Sequence, residues 1–292
     1  MAILIDADTR VLVQGLTGRA GTFYTDLAIR YGTECVAGVR PGKGGSTHVG
    51  LPVFDTVAEA RAETQANASL IMVPPHRAAD AMVEAIEAGI SVIVCVTERV
   101  PVLDMLRVKA ALEGSESVLV GPNSQGVLSP GRCKIGVMAT RDAAPGPVGI
   151  VSRSASLTSE VVAQTSALGL GQSTTIGIGG DPVHGMGFAD ALARFRKDDE
   201  TRAVVLIGEI GGTEEEAAAE YLRGSDFGKP VIALVVGRHA PAERRMGHAG
   251  TLAMLGARSA AQKAQILTDA GVLLARDADD VAPMVQRALA GG

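Results

Sequence analysis

Val11-Leu12-Val13-Gln14-Gly15-Leu16-Thr17-Gly18-Arg19-Ala20-Gly21 is an apolar strand that breaks at a glycine and runs into a helical pattern. A strand apolar on consecutive residues belongs to a parallel sheet covered on both faces. Glycines just past its end let backbone approach a ligand, and the helix that follows offers free amides and a positive dipole end to an anion. The spacing is Gly-x-x-Gly-x-x-Gly rather than the Gly-x-Gly-x-x-Gly of dinucleotide sites. Taken alone, these residues suit a phosphate loop or simply a tight strand-to-helix turn.

The same alternation continues to the end of the chain. Further strands are expected at Cys35–Ala37, Leu70–Val73, Val92–Val96, Val118–Val120, Val148–Val151, Ala203–Ile207 and Val231–Val236. Between them lie helical patterns such as Ala78 to Ala88, where Ala81, Met82, Ala85, Ile86 and Ala88 form one apolar stripe. Strand–helix alternation of this kind predicts an α/β protein with doubly wound parallel sheets. Ala139 to Pro147 is rich in Ala, Pro and Gly, without periodicity, and precedes a fresh strand. Two domains are therefore expected, residues 1–143 and 144–292.

With 292 residues there is length for two sizeable cores. No apolar run approaches the ~18 residues of a membrane span, and Asp6 interrupts the N-terminal run too early for a signal peptide. The formal charge of −5 argues against broad nucleic-acid binding. Three widely spaced cysteines match neither a disulfide framework nor a zinc site, so a cytoplasmic location is expected and no metal site on this chain. The 36 glycines, about 12% of the chain, exceed the usual ~7% and point to many close backbone approaches.

Two further loops carry chemistry. After the second strand come Arg40-Pro41-Gly42-Lys43-Gly44-Gly45, where a nicotinamide enzyme usually places an acid for the ribose hydroxyls. Cations at Arg40 and Lys43 suit a phosphorylated ribose instead, as in NADP or coenzyme A; otherwise they form a solvated basic loop. Past the strand Val231–Val236 stands Arg244-Arg245-Met246-Gly247-His248-Ala249-Gly250. A histidine among glycines can come close to a bulky partner and accept a phosphoryl group; a lone one is more simply a surface histidine.

Together, Gln14–Gly18, Pro41–Gly45, Gly121-Pro122-Asn123, Val151–Ser154, Gly177–Pro182, Gly208–Gly212 and Arg245–Gly250 resemble the α subunits of the acid–CoA ligase family that includes succinyl-CoA synthetase. The resemblance implies a Rossmann-like CoA-binding domain followed by a flavodoxin-like domain. It places coenzyme A on Thr17, Gly18, Arg19, Ala20, Lys43, Val96, Thr97 and Glu98. It makes His248 the transiently phosphorylated histidine and Glu209 the carboxylate that orients it. Ser154, Ala155, Ser156, Ser159, Gly179 and Gly180 would bind phosphate and the acid substrate. The nucleotide, ATP or GTP with Mg2+, would be handled by a separate β subunit of ATP-grasp fold, in an αβ or α2β2 assembly. A noncatalytic acyl-CoA-binding paralogue and an NADP-dependent oxidoreductase are the alternatives.

Departures from the family pattern gather where the acid is expected. Ser159 replaces a substrate-contacting tyrosine, Ser124-Gln125 replaces Cys-Pro, and Arg99 replaces a glycine. Exchanging an aromatic ring for a hydroxyl widens a pocket and adds hydrogen-bonding capacity. The expected acid is succinate or a related short dicarboxylate such as malate or itaconate.

Overall fold

A parallel strand must return through a crossover, and the chain does so repeatedly. The computed structural model describes residues 3–240 and 258–291. In order, the first elements are β1 (Arg10–Gln14), α1 (Arg19–Tyr31), β2 (Glu34–Val39), β3 (Thr47–His48), β4 (Leu51–Phe54), α2 (Val57–Thr64), β5 (Ala68–Ile71), α3 (Pro75–Glu87), β6 (Val92–Cys95), α4 (Val102–Leu112) and β7 (Val118–Val120). A short hairpin follows, β8 (Gly126–Ser129) and β9 (Cys133–Gly136). The remainder is β10 (Pro145–Ser152), α5 (Ala155–Ala167), β11 (Gln172–Gly177), α6 (Phe188–Lys197), β12 (Ala203–Glu209), α7 (Glu214–Arg223), β13 (Val231–Val236), α8 (Ala260–Thr268), β14 (Leu273–Leu274) and α9 (Ala278–Ala290).

The first sheet has the order β3-β4-β2-β1-β5-β6-β7, with β3 antiparallel to β4 and the other pairs parallel. Counting only its parallel strands along the chain, the order is 3-2-1-4-5-6, the Rossmann arrangement. The second sheet runs β14-β13-β12-β10-β11-β8-β9. Its five parallel strands have the flavodoxin-like order 2-1-3-4-5, extended at the β11 edge by the antiparallel hairpin. Each order reverses at one point, between β1 and β5 in the first sheet and between β10 and β12 in the second. Ligands of open α/β sheets bind in the crevice beyond the strand ends at such points.

The β8–β9 hairpin precedes residue 144 yet belongs to the second sheet. The chain changes sheets after Val120, because β8 pairs with β11 through Leu128↔Thr175, Val127↔Ile176 and Gly126↔Gly177. Val127 and Ile135 are buried in one core with Val13, Leu70 and Val94 of the first sheet, Ile176 of the second and Phe188 of α6. Burying each of those two hairpin side chains stabilises by about 1.5–3 kcal/mol, which seats the hairpin between the two sheets. Thr33 adds a polar tie, its Oγ1 accepting from the Lys134 amide at 2.9 Å and donating to the Lys134 carbonyl at 3.0 Å.

All eight strands expected from apolar runs are present. The Ala78–Ala88 helix begins earlier, at Pro75, where proline sits in the first turn and needs no amide partner. Cys35, Cys95 and Cys133 are free thiols, and burial pushes each up to about 12, so they are inert small hydrophobes at neutral pH.

Candidate functional site

At the first reversal point the residues after β1 and β5 enclose a cavity of about 490 Å³. Gly15, Gly18, Val39, Arg40, Pro41, Met72, Val73, Pro74 and Arg77 line it. Gly15 has φ +93°, and a Cβ there would stand 2.6 Å from the Met72 carbonyl oxygen. Only glycine therefore lets β1 turn this tightly beside β5. Gly18 caps α1 with no side chain over the first amides, and the first turn carries no acid. That helix end is consequently open to an anion.

Thr17 and Gly18 are half-buried, whereas Arg19 and Ala20 are exposed at the start of α1. Arg40 Nη1 donates to Thr17 Oγ1 at 2.6 Å, which holds the guanidinium over the glycine loop. Lys43 is exposed on the turn beyond Pro41. That turn is organised by Asp55, whose Oδ1 accepts from the amides of Lys43 and Gly44 at 3.0 and 2.9 Å. The Gly44 amide, helped by those of Gly42 and Lys43, holds the Asp55 carboxyl below the usual carboxylate range. His48 lies against α1, its Nε2 2.7 Å from Thr22 Oγ1. Arg77, at the start of α3, carries no signal in the sequence; only the fold brings that loop against Gly15.

The Val96-Thr97-Glu98 loop follows β6. Thr97 is buried and donates from Oγ1 to the Val73 carbonyl at 2.7 Å, so its hydroxyl braces the cavity wall. Glu98 is exposed. The loop is stitched to the second domain through Asn123: its amide donates to the Thr97 carbonyl at 2.8 Å, and Nδ2 donates to Asp181 Oδ1 at 3.0 Å. Burial raises the Asp181 carboxyl above its ordinary value, against the Asn123 amide, which favours the charged form. Gly179 and Gly180 are buried, and a Cβ on Gly179 would meet the Pro122 carbonyl oxygen at 2.1 Å. Gly179 thus serves close packing across the domain seam.

At the second reversal point, β10 delivers Ser152-Arg153-Ser154 and β12 delivers Glu209. Ser154 caps α5, its Oγ accepting from the Leu157 amide at 3.4 Å, while Ala155 and Ser156 are exposed in the first turn. Ser159 is exposed, its Oγ donating to the Ala155 carbonyl at 3.3 Å. The anion-ready helix end and the carboxylate are joined by Arg153. This guanidinium is buried, Nη2 lying 3.3 Å from Glu209 Oε1 and Nη1 donating to the Gly211 carbonyl at 3.0 Å.

Two of the departures prove to be seam residues. Ser124 Oγ donates to the Gly177 carbonyl at 2.5 Å, and Gln125 Nε2 donates to Thr158 Oγ1 at 2.6 Å; both side chains are buried. Ser159 and Arg99 remain exposed. His184 is held by the Met186 carbonyl, 3.1 Å from Nδ1, and by Glu214, 3.5 Å from Nε2. Burial lowers its pKa, opposed by Glu214. His248 lies outside the described residues, as do Arg244 and Arg245.

Residues 6–99 match the CoA binding domain family and residues 151–273 the CoA-ligase family. A protein of Aquifex aeolicus named succinate–CoA ligase [ADP-forming] subunit alpha is 50% identical over 291 residues, covering 99% of this chain and 95% of its own. The protein of the same name from Staphylococcus epidermidis is 48% identical over 272 residues, covering 93% and 90%. Among solved structures, an ATP citrate lyase of Methanosaeta concilii in complex with (3S)-citryl-CoA superposes with TM-score 0.89 at 23% identity, over 99% of this chain. This chain spans 51% of that one. A dinucleotide-forming acetyl-coenzyme A synthetase of Ca. Korarchaeum cryptofilum gives TM-score 0.77 at 19% identity, over 96% of this chain and 60% of its own. At such identities these two likenesses establish the fold alone.

Proposed function

This chain belongs to the succinate–CoA ligase α-subunit family, and on that premise we propose that it joins a short dicarboxylic acid to coenzyme A through a phosphate carried by His248. The observation that carries this reading is the pairing of two reversal-point sites in one chain. The first is a nucleotide-sized cavity with two guanidinium groups; the second is an anion-ready helix end joined by Arg153 to a buried carboxylate.

The first cavity fits the nucleotide end of coenzyme A. Val39, Met72, Val73 and Pro74 offer apolar walls to a purine, and Arg40, Arg77 and the α1 amides offer charge to its phosphates. Coenzyme A supplies the thiol that takes the acyl group. The Val96–Glu98 loop, stitched to the second domain by Asn123, then lies on the thiol's course towards the acid.

A carboxylate acylates poorly because oxide is a poor leaving group. Phosphoryl transfer from a nucleoside triphosphate to His248 gives a phosphoramidate and the diphosphate. Attack on that phosphorus by the acid's oxygen frees the imidazole and forms an acyl phosphate. The thiol then attacks the acyl carbon, losing its proton, and phosphate leaves. Glu209 fixes the imidazole tautomer that attacks. The α5 amides with Ser154 and Ser156 hold the transferring phosphoryl group. The nucleotide and Mg2+ belong to a β subunit of ATP-grasp fold in a cytoplasmic assembly. Among the described residues, no helix is long and apolar enough to cross a membrane.

The test incubates this chain and its β partner with Mg2+ and labelled ATP or GTP. Acid-labile phosphate on His248, discharged by acid plus coenzyme A, supports the reading. Coenzyme A binding with no phosphate from a competent partner would leave the noncatalytic paralogue.

Arg40→Ala is expected to raise the KM for coenzyme A about 10–100-fold and leave kcat unchanged, since one charge-assisted contact is worth ~1.5–3 kcal/mol. Initial rates at several salt concentrations check this, with a weaker salt dependence in the variant. Ser159→Tyr is expected to shift kcat/KM towards succinate and away from malate by about tenfold. A ring refilling the pocket excludes the hydroxyl and its hydrogen bond. Paired turnover measurements on the two acids decide it, and an unchanged ratio would remove Ser159 from the acid pocket.

A further inference from the structure

The second reversal point rests on more buried charge than phosphoryl transfer alone requires. Glu215 on α7 and Lys263 on α8 are both fully buried and form an ion pair. Lys263 Nζ also donates to the Gly211 and Gly212 carbonyls at 3.1 and 2.9 Å, and to Glu216 Oε2 at 3.1 Å. Glu215 turns its other oxygen to Glu209, whose backbone amide donates to Oε1 at 2.9 Å. Gly208 makes room for this: a Cβ there would stand 2.3 Å from that oxygen. Gly211 and Gly212 both have positive φ, +81° and +65°, a turn whose conformation strains any other residue.

Glu209 is thus held from three directions. Glu215 holds its amide, Arg153 its carboxylate, and Lys263 with Arg153 the carbonyls of the turn that follows it. We propose that Lys263 is a positioning residue for the phosphoryl relay, acting through Glu215 and the Gly211–Gly212 carbonyls to fix the carboxylate of Glu209. The inference rests on Glu209 and His248 acting as described above.

A buried ion pair is poor support for stability alone, because desolvating both charges offsets their attraction and apolar residues of similar volume serve as well. A hydrogen-bonded buried network does fix one geometry. The partners of this one converge on the backbone either side of a single carboxylate. Positioning to well under 1 Å is what such a carboxylate needs if it is to set a tautomer.

The test uses the complex with its β partner and the double variant Lys263→Met/Glu215→Gln, which leaves neither charge buried alone. The side-chain amide introduced at position 215 retains an oxygen for the backbone amide of Glu209. Three quantities are measured: the single-turnover rate of acid-labile phosphate appearing on His248, the KM for coenzyme A, and the thermal midpoint. The expected result is a phosphorylation rate lowered roughly 10–100-fold, as for other groups that orient a reacting residue from behind, with the KM for coenzyme A unchanged. A folded double variant phosphorylated at the wild-type rate overturns the inference and makes the pair a structural staple. If the double variant does not fold, Lys263→Gln decides, its amide still donating to one glycine carbonyl. An intermediate rate supports the proposal and a wild-type rate overturns it. A wild-type complex that turns over without phosphate on His248 sinks the relay itself, a different result from a phosphorylated wild type matched by its variant.

Discussion

His248→Asn abolishes turnover and all acid-labile phosphate while leaving coenzyme A binding intact. The expected fall in kcat exceeds about 10³-fold, because in the proposed relay this side chain is the covalent carrier. Asparagine keeps a polar group of similar reach but has no ring nitrogen to accept phosphorus. Two of the chain's four other histidines are already engaged elsewhere. His184 is committed to the Met186 carbonyl and Glu214, and His48 to Thr22 on α1 in the first domain.

Three readouts make the result specific. Titration with coenzyme A should match wild type, since the cavity lined by Gly15, Arg40 and Arg77 is built wholly from the first sheet's loops. Exchange of label between nucleoside di- and triphosphate should vanish, because it needs only the first transfer. Acyl phosphate supplied directly should restore thioester formation, since the thiol's attack does not use the imidazole. Retained exchange would mean that phosphate passes to the acid without the relay.

The first domain was legible because its physics is local. An apolar strand, a glycine that must adopt positive φ and a helix start all lie within Val11–Gly21, and the cavity opens there. The strand ends beside Glu209 and Ser154 were legible for a similar reason, since β12 ends at Glu209 and β10 at Ser152, while the roles of both residues come from the resemblance alone. What escaped was non-local or disguised. Gln172-Ser173-Thr174-Thr175 opens β11 yet reads as solvated; all four are buried, and Gln172 Nε2 donates to Thr165 Oγ1 at 2.8 Å. The β8–β9 hairpin strands, Gly126–Ser129 and Cys133–Gly136, are interrupted by Gly126, Ser129, Lys134 and Gly136, so no continuous apolar run marks them. Lys263 reads as one more solvated lysine on an amphipathic helix, and only the arrival of Glu215 and the Gly211–Gly212 turn makes its burial tolerable. Arg77 and Arg153 likewise gain meaning from partners distant in sequence.

Glu209→Gln lowers the phosphorylation rate of His248 by about 10²–10³-fold and leaves the KM for coenzyme A unchanged. An amide in place of the carboxylate can present either its oxygen or its NH2 to the imidazole, so the reactive tautomer is no longer enforced. It also removes the negative charge that favours the imidazolium-like ring as phosphorus bonds. The neighbourhood gives the substitution a second consequence. Arg153 is 4% exposed and loses its only carboxylate within salt-bridge distance among the described residues, 3.3 Å away. A buried guanidinium that loses its paired carboxylate is costly, though the Gly211 carbonyl still accepts from it at 3.0 Å and Glu215 remains within electrostatic reach. A stability loss of ~1–3 kcal/mol is therefore expected alongside the kinetic one. The two separate in the double variant Arg153→Met/Glu209→Gln, which removes both charges. Thermal stability should recover towards wild type, while phosphorylation stays low because the tautomer remains unset. Rapid-quench phosphorylation and thermal melts on the wild type and both variants measure this directly. A double variant that recovers stability and rate together would reduce Glu209 to a counter-ion for Arg153, and the imidazole would need another orienting group.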